Sequence, residues 1–196
     1  MILSALGAFL FATLFWIRVW SLVHSFNVYV LLLAIQAGTT AVLLVLRRKS
    51  KTNIRWQEQL LAWLSATLPL ALAVPENPGF ISGLLMIFSM AGLFMNIWSM
   101  ITLGLSFGIA PADRGLVVRG PYEYVRHPMY FGEIYSLGFL ILAALPLGPI
   151  LIIHNVLTFI AFLASIVLRI QLEEEKISNY EDYANRIPWR LIPEVW

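Results

Sequence analysis

The side chains able to do chemistry crowd into two stretches of the carboxyl half, Arg126-His127-Pro128-Met129-Tyr130-Phe131-Gly132-Glu133 and the segment from Arg169 to Arg186. Arg169 carries a planar guanidinium that stays charged in a low-dielectric site and grips a carboxylate at two points. Glu173 follows it by four residues, so the two share a helix face. That pair is either an intrahelical ion pair or the facing charges of a binding site. Read alone, Arg169 also suits a cation that snorkels to anchor a membrane helix. Pro128 disfavours helical backbone at His127 and suits a first helical turn, so the sequence predicts a helix beginning here. The free N–H groups of such a helix start attract anions, which makes His127 an anion-site residue or, equally, a capping or interface histidine. Glu133 sits inside an apolar run and is costly in lipid unless paired, with Arg126 or a bound group as its expected partner. The sequence has no cysteine, which excludes thiol catalysis, disulfides and zinc-thiolate sites, and its three histidines, His24, His127 and His154, are too scattered to ligate a metal.

These groups must be held by elements built almost wholly of apolar residues. Across 196 residues 60% are hydrophobic and 12% charged, with a mean hydropathy of +0.80. Ordinary soluble domains carry about 25% charged residues, so a soluble enzyme or a nucleic-acid-binding module is excluded and the chain is expected to lie in lipid. Apolar runs at roughly residues 2–23, 28–46, 57–75, 80–105, 130–146 and 148–171 predict an all-α, polytopic transmembrane helix bundle of five or six spans. Those near Pro69 and Pro146 are the weaker ones. Arg47, Arg48, Lys49, Lys51 and Arg55 form one basic loop, Arg114, Arg119 and Arg126 a second, and Arg169, Lys176, Arg186 and Arg190 a third group. All three are expected on the cytoplasmic side, with the turns at Pro75-Glu76-Asn77-Pro78-Gly79 and Pro146-Leu147-Gly148-Pro149 outside. Gly83, Ser89, Gly92 and Ser99 supply small residues for helix packing. The whole chain, 1–196, reads as a single membrane domain: a transmembrane scaffold over 1–105 and a catalytic carboxyl-terminal region over 106–196 with a hairpin at about 130–171. The polar linker from Ser106 to Pro128 should fold over the end of the bundle as part of a cytoplasmic, cofactor-binding lobe. No Gly-x-Gly-x-x-Gly follows a strand, so a dinucleotide-type fold is not expected.

The combination of Arg126-His127-Pro128-Met129-Tyr130-Phe131-Gly132, an apolar hairpin, Arg169-Ile-Gln-Leu-Glu173-Glu174 and Tyr180-Glu-Asp-Tyr183 before Pro188 resembles the isoprenylcysteine carboxyl methyltransferase family of integral membrane enzymes. The likeness covers about residues 113–193, with a segment between Glu174 and Tyr180 shorter than the family's. It implies S-adenosyl-L-methionine as cofactor and a lipid-modified carboxylate acceptor that enters from the bilayer. By resemblance Arg169 is the catalytic and substrate-binding arginine at the acceptor carboxyl. Arg114, Gly115, Leu116, Val117, Tyr122, His127, Pro128, Met129, Tyr130 and Glu173 match the cofactor site, and Arg126, Glu174, Tyr183 and Arg186 are supporting candidates. In that reading Glu173 meets the cofactor's amino group, Leu116 and Val117 flank its adenine, and Tyr183 with Arg186 covers the pocket. An interfacial amphipathic tail is the other account of Tyr183 and Arg186, and aromatic-belt placement the other account of the tyrosines.

Residue chemistry agrees with the implied reaction. A carboxylate acceptor is already ionised near neutral pH and needs no general base, so alignment beside a cation is the main requirement. Methylation of a phospholipid amine or other lipid headgroup is the alternative enzyme reading, and Arg169 opposes it because a cation disfavours positive charge developing nearby. A non-catalytic membrane protein is the alternative outside enzymes, although neither internal repeats nor midplane charges of a transporter kind are evident.

Overall fold

A computed structural model describes residues 2–75 and 78–196, so Glu76 and Asn77 of the expected first turn lie outside the described residues. Seven α-helices make up the described chain: α1 (Ile2–His24), α2 (Val28–Leu46), α3 (Trp56–Thr67), α4 (Phe80–Leu103), α5 (Pro128–Ala143), α6 (Pro149–Lys176) and α7 (Tyr180–Arg186). The protein is a polytopic helical bundle. Helices α1, α2, α4 and α6 are long and apolar enough to cross a membrane, and α5 is a shorter apolar helix. The run expected as one span over 57–75 is instead a 12-residue helix, α3, continued by a 3-10 turn at Leu68–Ala71. Pro69 explains the break, since it lacks the N–H that an α-helix would use and sits in the first positions of the 3-10 turn.

Helix packing follows the small residues. Helices α4 and α5 approach so closely that a Cβ built on Gly92 would lie 2.5 Å from the Gly132 carbonyl oxygen, and one on Gly132 would lie 2.6 Å from that of Gly92. Beside this crossing the Ser89 hydroxyl donates to the Ser136 carbonyl at 2.8 Å, and the Asn96 amide donates to the Met129 carbonyl at 3.1 Å. Of the expected packing residues, Ser89, Gly92 and Ser99 are buried, whereas nothing lies within 4 Å of a Cβ on Gly83.

The loops gather at one end. Arg48 N–H donates to the Leu105 carbonyl and Lys51 N–H to the Asp113 carbonyl, while Lys176 at the end of α6 donates to the Asn53 carbonyl. The linker after α4 therefore folds over the bundle end, as its composition implies. Helix α6, 28 residues long, extends about 42 Å against a hydrocarbon core of about 30 Å. Counted from Pro149, its first twenty or so residues are enough to cross the core, which would leave Arg169 at the edge and Glu173 beyond it.

Candidate functional site

Three segments build a cavity at this end: the linker from Ser106 to Val117, the stretch from Tyr122 to Tyr130, and the end of α6 with α7. Pro128 opens α5 as expected, with His127 at the cap position. The bend of the linker is fixed by Gly115, whose φ of +101° favours glycine. Its N–H donates to the Asp113 carboxylate at 2.9 Å. Asp113, 1% exposed, also accepts from the Ser178 hydroxyl at 2.7 Å, so it bolts the linker to the short α6–α7 connection. Burial alone would raise its pKa, but hydrogen bonds from Ser178 and Gly115 and the charge of Lys51 outweigh it and hold the carboxyl below its ordinary range.

Arg114, Gly115, Leu116, Val117, Tyr122, Arg126, His127, Met129, Tyr130, Glu173 and Tyr183 all line this cavity. Pro128 is fully buried at the start of α5 behind it. Arg114 is buried and lies over Gly108, where a Cβ would come within 2.6 Å of its guanidinium carbon. One Nη donates to the Ala110 carbonyl at 3.1 Å, and its Nε has no hydrogen-bond partner. Burial, together with the charge of Arg47, lowers its pKa to about 10. An anion entering the cavity would relieve both. On the opposite wall the Tyr130 hydroxyl donates to Glu173, and His127 Nδ1 lies 4.0 Å from the second Glu173 oxygen. The cavity thus sets a cation with an open donor against a carboxylate. A sulfonium amino acid with one carboxylate and one ammonium fits such a donor set.

Glu174 turns away from the cavity and acts as a clamp, because consecutive helical residues point about 100° apart. It pairs with Arg190 Nη2 at 2.8 Å, Arg126 Nη1 at 3.2 Å and His127 Nε2 at 3.2 Å, and accepts from the Tyr180 hydroxyl at 3.2 Å. The chain beyond α7 completes the clamp: Arg126 and His127 N–H groups donate to the carbonyls of Trp189 and Arg190. Tyr183, 1% exposed, donates to the Tyr122 carbonyl at 2.7 Å and so covers the cavity. Burial pushes the Tyr180, Tyr183 and Tyr122 hydroxyls up, so all three remain protonated donors.

Two expectations are corrected. Arg186 is exposed and reaches only the Asp182 carbonyl at 3.3 Å, so it does not cover the pocket; at the last position of a seven-residue helix, its side chain turns to solvent while Tyr183 turns inward. Glu133 does not pair with Arg126, whose anion is Glu174. It lines a second cavity instead, because one helical turn from Met129 points it along the inner face of α5.

That second cavity, about 290 Å³, is bounded by all of α1 to α6 and is mostly apolar. Along α5 it is lined by Met129, Glu133, Ser136, Leu137 and Leu140, a single face about 17 Å long. Arg169 lines its end. The guanidinium is 4% exposed, donates from one Nη to the Ser65 hydroxyl at 2.8 Å and from the other to the Ile109 carbonyl at 2.6 Å, and lies 3.5 Å from Glu173. It also sits over the Tyr130 ring at 5.1 Å. Its Nε has no partner. Gly108 and Met129 line both cavities, so the polar chamber and the apolar one adjoin there, with Arg169 on one side and Glu173 on the other.

Residues 84–179 match the model of the isoprenylcysteine carboxyl methyltransferase (ICMT) family. This region belongs to that family. The matched span takes in α4 from residue 84 on, α5, α6, the linker and both walls where the two cavities meet. It leaves out α1 to α3, which supply much of the apolar cavity, and the tail from Tyr180 that closes the polar one. Among curated proteins none matches the chain.

Asp113, Ser65 and Arg190 join the site beyond the residues expected from the sequence, as does Tyr180, which figured there only within its motif. Asp113 carries a local signal, Asp-x-Gly with the aspartate two residues before a glycine, which is a side-chain-to-backbone turn motif. Ser65 and Arg190 reach the site through tertiary contacts that no spacing announces.

Proposed function

We propose that this protein is an integral membrane methyltransferase that uses S-adenosyl-L-methionine to methylate the carboxylate of a lipid-modified, isoprenylcysteine-type acceptor. The observation that carries the reading is the junction at Met129, where a polar chamber with Arg114 and Glu173 adjoins an apolar cavity ending at Arg169. A water-soluble donor and a lipid-tethered acceptor need separate chambers that adjoin at the reacting atoms.

S-adenosylmethionine supplies, when bound, an electrophilic methyl group on sulfur that undergoes in-line displacement. Glu173 would hold its amino group, Arg114 and the start of α5 at His127, Pro128, Met129 and Tyr130 would face its carboxylate, and Gly115, Leu116, Val117 and Tyr122 would surround its nucleoside. Arg169 receives the acceptor carboxylate on its free Nε edge, fixed in place by Ser65 and the Ile109 carbonyl. Because that carboxylate is ionised near neutral pH, the protein needs no base; it aligns the oxygen and excludes water. The apolar cavity takes the tail, and the acceptor enters sideways from the bilayer. The catalytic end faces the cytoplasm.

Titration calorimetry of S-adenosylhomocysteine into detergent-purified protein tests the reading. Binding is expected, weakened about tenfold or more in Glu173→Ala, by loss of a charge-assisted hydrogen bond, and also weakened in His127→Ala. Arg169→Ala should retain binding and lose about 100-fold or more in turnover, as when a preorganised donor to a reacting oxygen is removed. A folded parent protein that does not bind overturns the cofactor assignment, and intact turnover in Arg169→Ala removes the role of that residue.

A further inference from the structure

Arg18 lines the apolar cavity from α1. Trp16, Ile17 and Trp20 carry the exposed face of that helix, whereas Arg18 turns to α2 and donates from one Nη to the Leu33 carbonyl at 2.7 Å. Leu33 is the sixth residue of α2, about 8 Å from the start of that helix. An arginine this near the end of α1 has a stem long enough to carry its head to the interface, yet this one holds it at membrane depth. Among the described residues it forms no ion pair, and one backbone carbonyl answers one of its five N–H groups. Tyr29 beside it is a neutral phenol engaged by Ser89 and Ser136. A guanidinium inside a membrane span without an anion is costly and marks a function. Resting on the proposed methyltransferase reading, we propose that Arg18 binds a second oxyanion carried on the apolar chain of the acceptor, so that the acceptor is anionic at two places: the carboxylate that is methylated and a point along its tail.

A count of every charge around the cavity makes the argument. Gln36 and Asn96 are neutral and tied down: Gln36 donates to the Asn96 side-chain oxygen at 3.0 Å, and the Asn96 amide donates to the Met129 carbonyl at 3.1 Å. Arg169 faces Glu173 at 3.5 Å, and its charge also acts on Glu133. With donor and acceptor bound as proposed, Arg169, the donor's ammonium and its sulfonium stand against Glu173, Glu133 and the acceptor carboxylate, three against three, while Arg114 stands against the donor's own carboxylate. Arg18 is the cation left over. Leaflet headgroups lie outside the hydrocarbon core, beyond the helix ends, whereas a chain that fills the cavity meets Arg18 at its own depth. A plain hydrocarbon tail would bury the guanidinium and give it nothing, but an oxyanion on that tail pairs with it at two points. Arg169 is held at the linker end by the Ile109 carbonyl and Arg18 on the α1 side by that of Leu33, so the two cations read two points of one chain.

Full-length protein in phosphate-free maltoside micelles, saturated with S-adenosylhomocysteine, is titrated with decanedioic, dodecanedioic and tetradecanedioic acids and with the monocarboxylic acid of each length. S-adenosylhomocysteine affinity, measured on every variant, reports that the variant is folded. At one chain length the diacid is expected to bind about tenfold or more tighter than its monoacid, the scale of hydrogen bonds between charged groups. In Arg18→Gln that lead falls to about twofold, the statistical advantage of two identical ends, while S-adenosylhomocysteine affinity is unchanged; Arg18→Lys, which keeps a cation, restores part of the lead. Diacid and monoacid of equal affinity at every length, no binding of any diacid by protein that binds S-adenosylhomocysteine, or a lead that survives in Arg18→Gln overturns the inference. The titration is repeated in nanodiscs with and without phosphatidylglycerol. A lead that anionic lipid erases would give Arg18 to a phospholipid phosphate and also overturn it, whereas a lead that persists keeps the anion on the acceptor. Failure of the parent to bind S-adenosylhomocysteine instead removes the methyltransferase reading beneath it.

Discussion

Asp113 shows how one side chain sets the shape of the polar chamber. It accepts from Gly115 and Ser178 while its own backbone bonds Lys51 and the Thr52 hydroxyl, so three loops share a single buried carboxylate. Asp113→Asn replaces an acceptor-only group with one whose NH₂ faces donors, and is expected to cost about 1–3 kcal/mol. The pH dependence has a definite sign. Because the folded pKa is depressed, the stabilisation is complete above the unfolded value of about 3.9 and fades as pH falls through the lower folded one. Thermal melts of parent and variant should therefore show a constant gap from about pH 8 to about pH 5 that narrows toward pH 3. A gap that widens on acidification would mean that Asp113 is not held ionised. At this scale, four-residue spacing put Arg169 and Glu173 on one helix face and the proline after His127 marked the helix start, while their assignment to a site came from the family resemblance. Glu174 was harder, because its partners Arg190 and Tyr180 arrive by a return of the chain that depends on the whole lobe.

At the level of elements, the α4–α5 crossing places the functional side chains. Met129 and Glu133 face inward because Gly132 and Gly92 let the two backbones touch and fix the rotation of α5. Gly92→Leu has no space to enter, since its Cβ alone would fall 2.5 Å from the Gly132 oxygen and 2.5 Å from the Ser136 nitrogen, both backbone atoms that cannot swing aside. It is expected to cost at least about 1–3 kcal/mol and to weaken S-adenosylhomocysteine binding by moving Met129 and Tyr130. Gly83→Ala on the same helix meets open space and should leave both unchanged, or gain a few tenths of a kcal/mol from helix propensity. Equal melting temperatures for Gly92→Leu and the parent in detergent would show that the crossing is not rigid. The small residues of α4 pointed to this packing, but composition could not tell that Gly83 lies outside it. The shortness of α3 was signalled by Pro69, while an apolar run of span length hid the change to 3-10 geometry.

Across the whole molecule, charge and cavity placement follow from one asymmetry. Helices α2, α4 and α6 deliver their ends to the same side, and hydrogen bonds join the loops there: Arg48 to Leu105, Lys51 to Asp113 and Lys176 to Asn53. The basic residues 47–55, 114–126 and 176–190 therefore gather at the end that holds the polar chamber, whereas the turn at 145–149 carries no Lys or Arg. An excess of Lys and Arg in short loops sets orientation in a bilayer, so the basic residues at this end should also hold the chamber in the cytoplasm, where S-adenosylmethionine is made. The apolar cavity then runs from that side toward the opposite leaflet, past Leu137 and Leu140. Having no cysteine, the chain offers a clean background for single-site labelling. Lys49→Cys and Leu145→Cys, both exposed positions at opposite ends, are expected to react differently with a membrane-impermeant maleimide added to intact cells: Leu145→Cys labels at once, and Lys49→Cys only after the membrane is opened. The reverse pattern would place the chamber outside, away from its methyl donor, and a chamber there could not serve the proposed reaction however well its side chains are arranged.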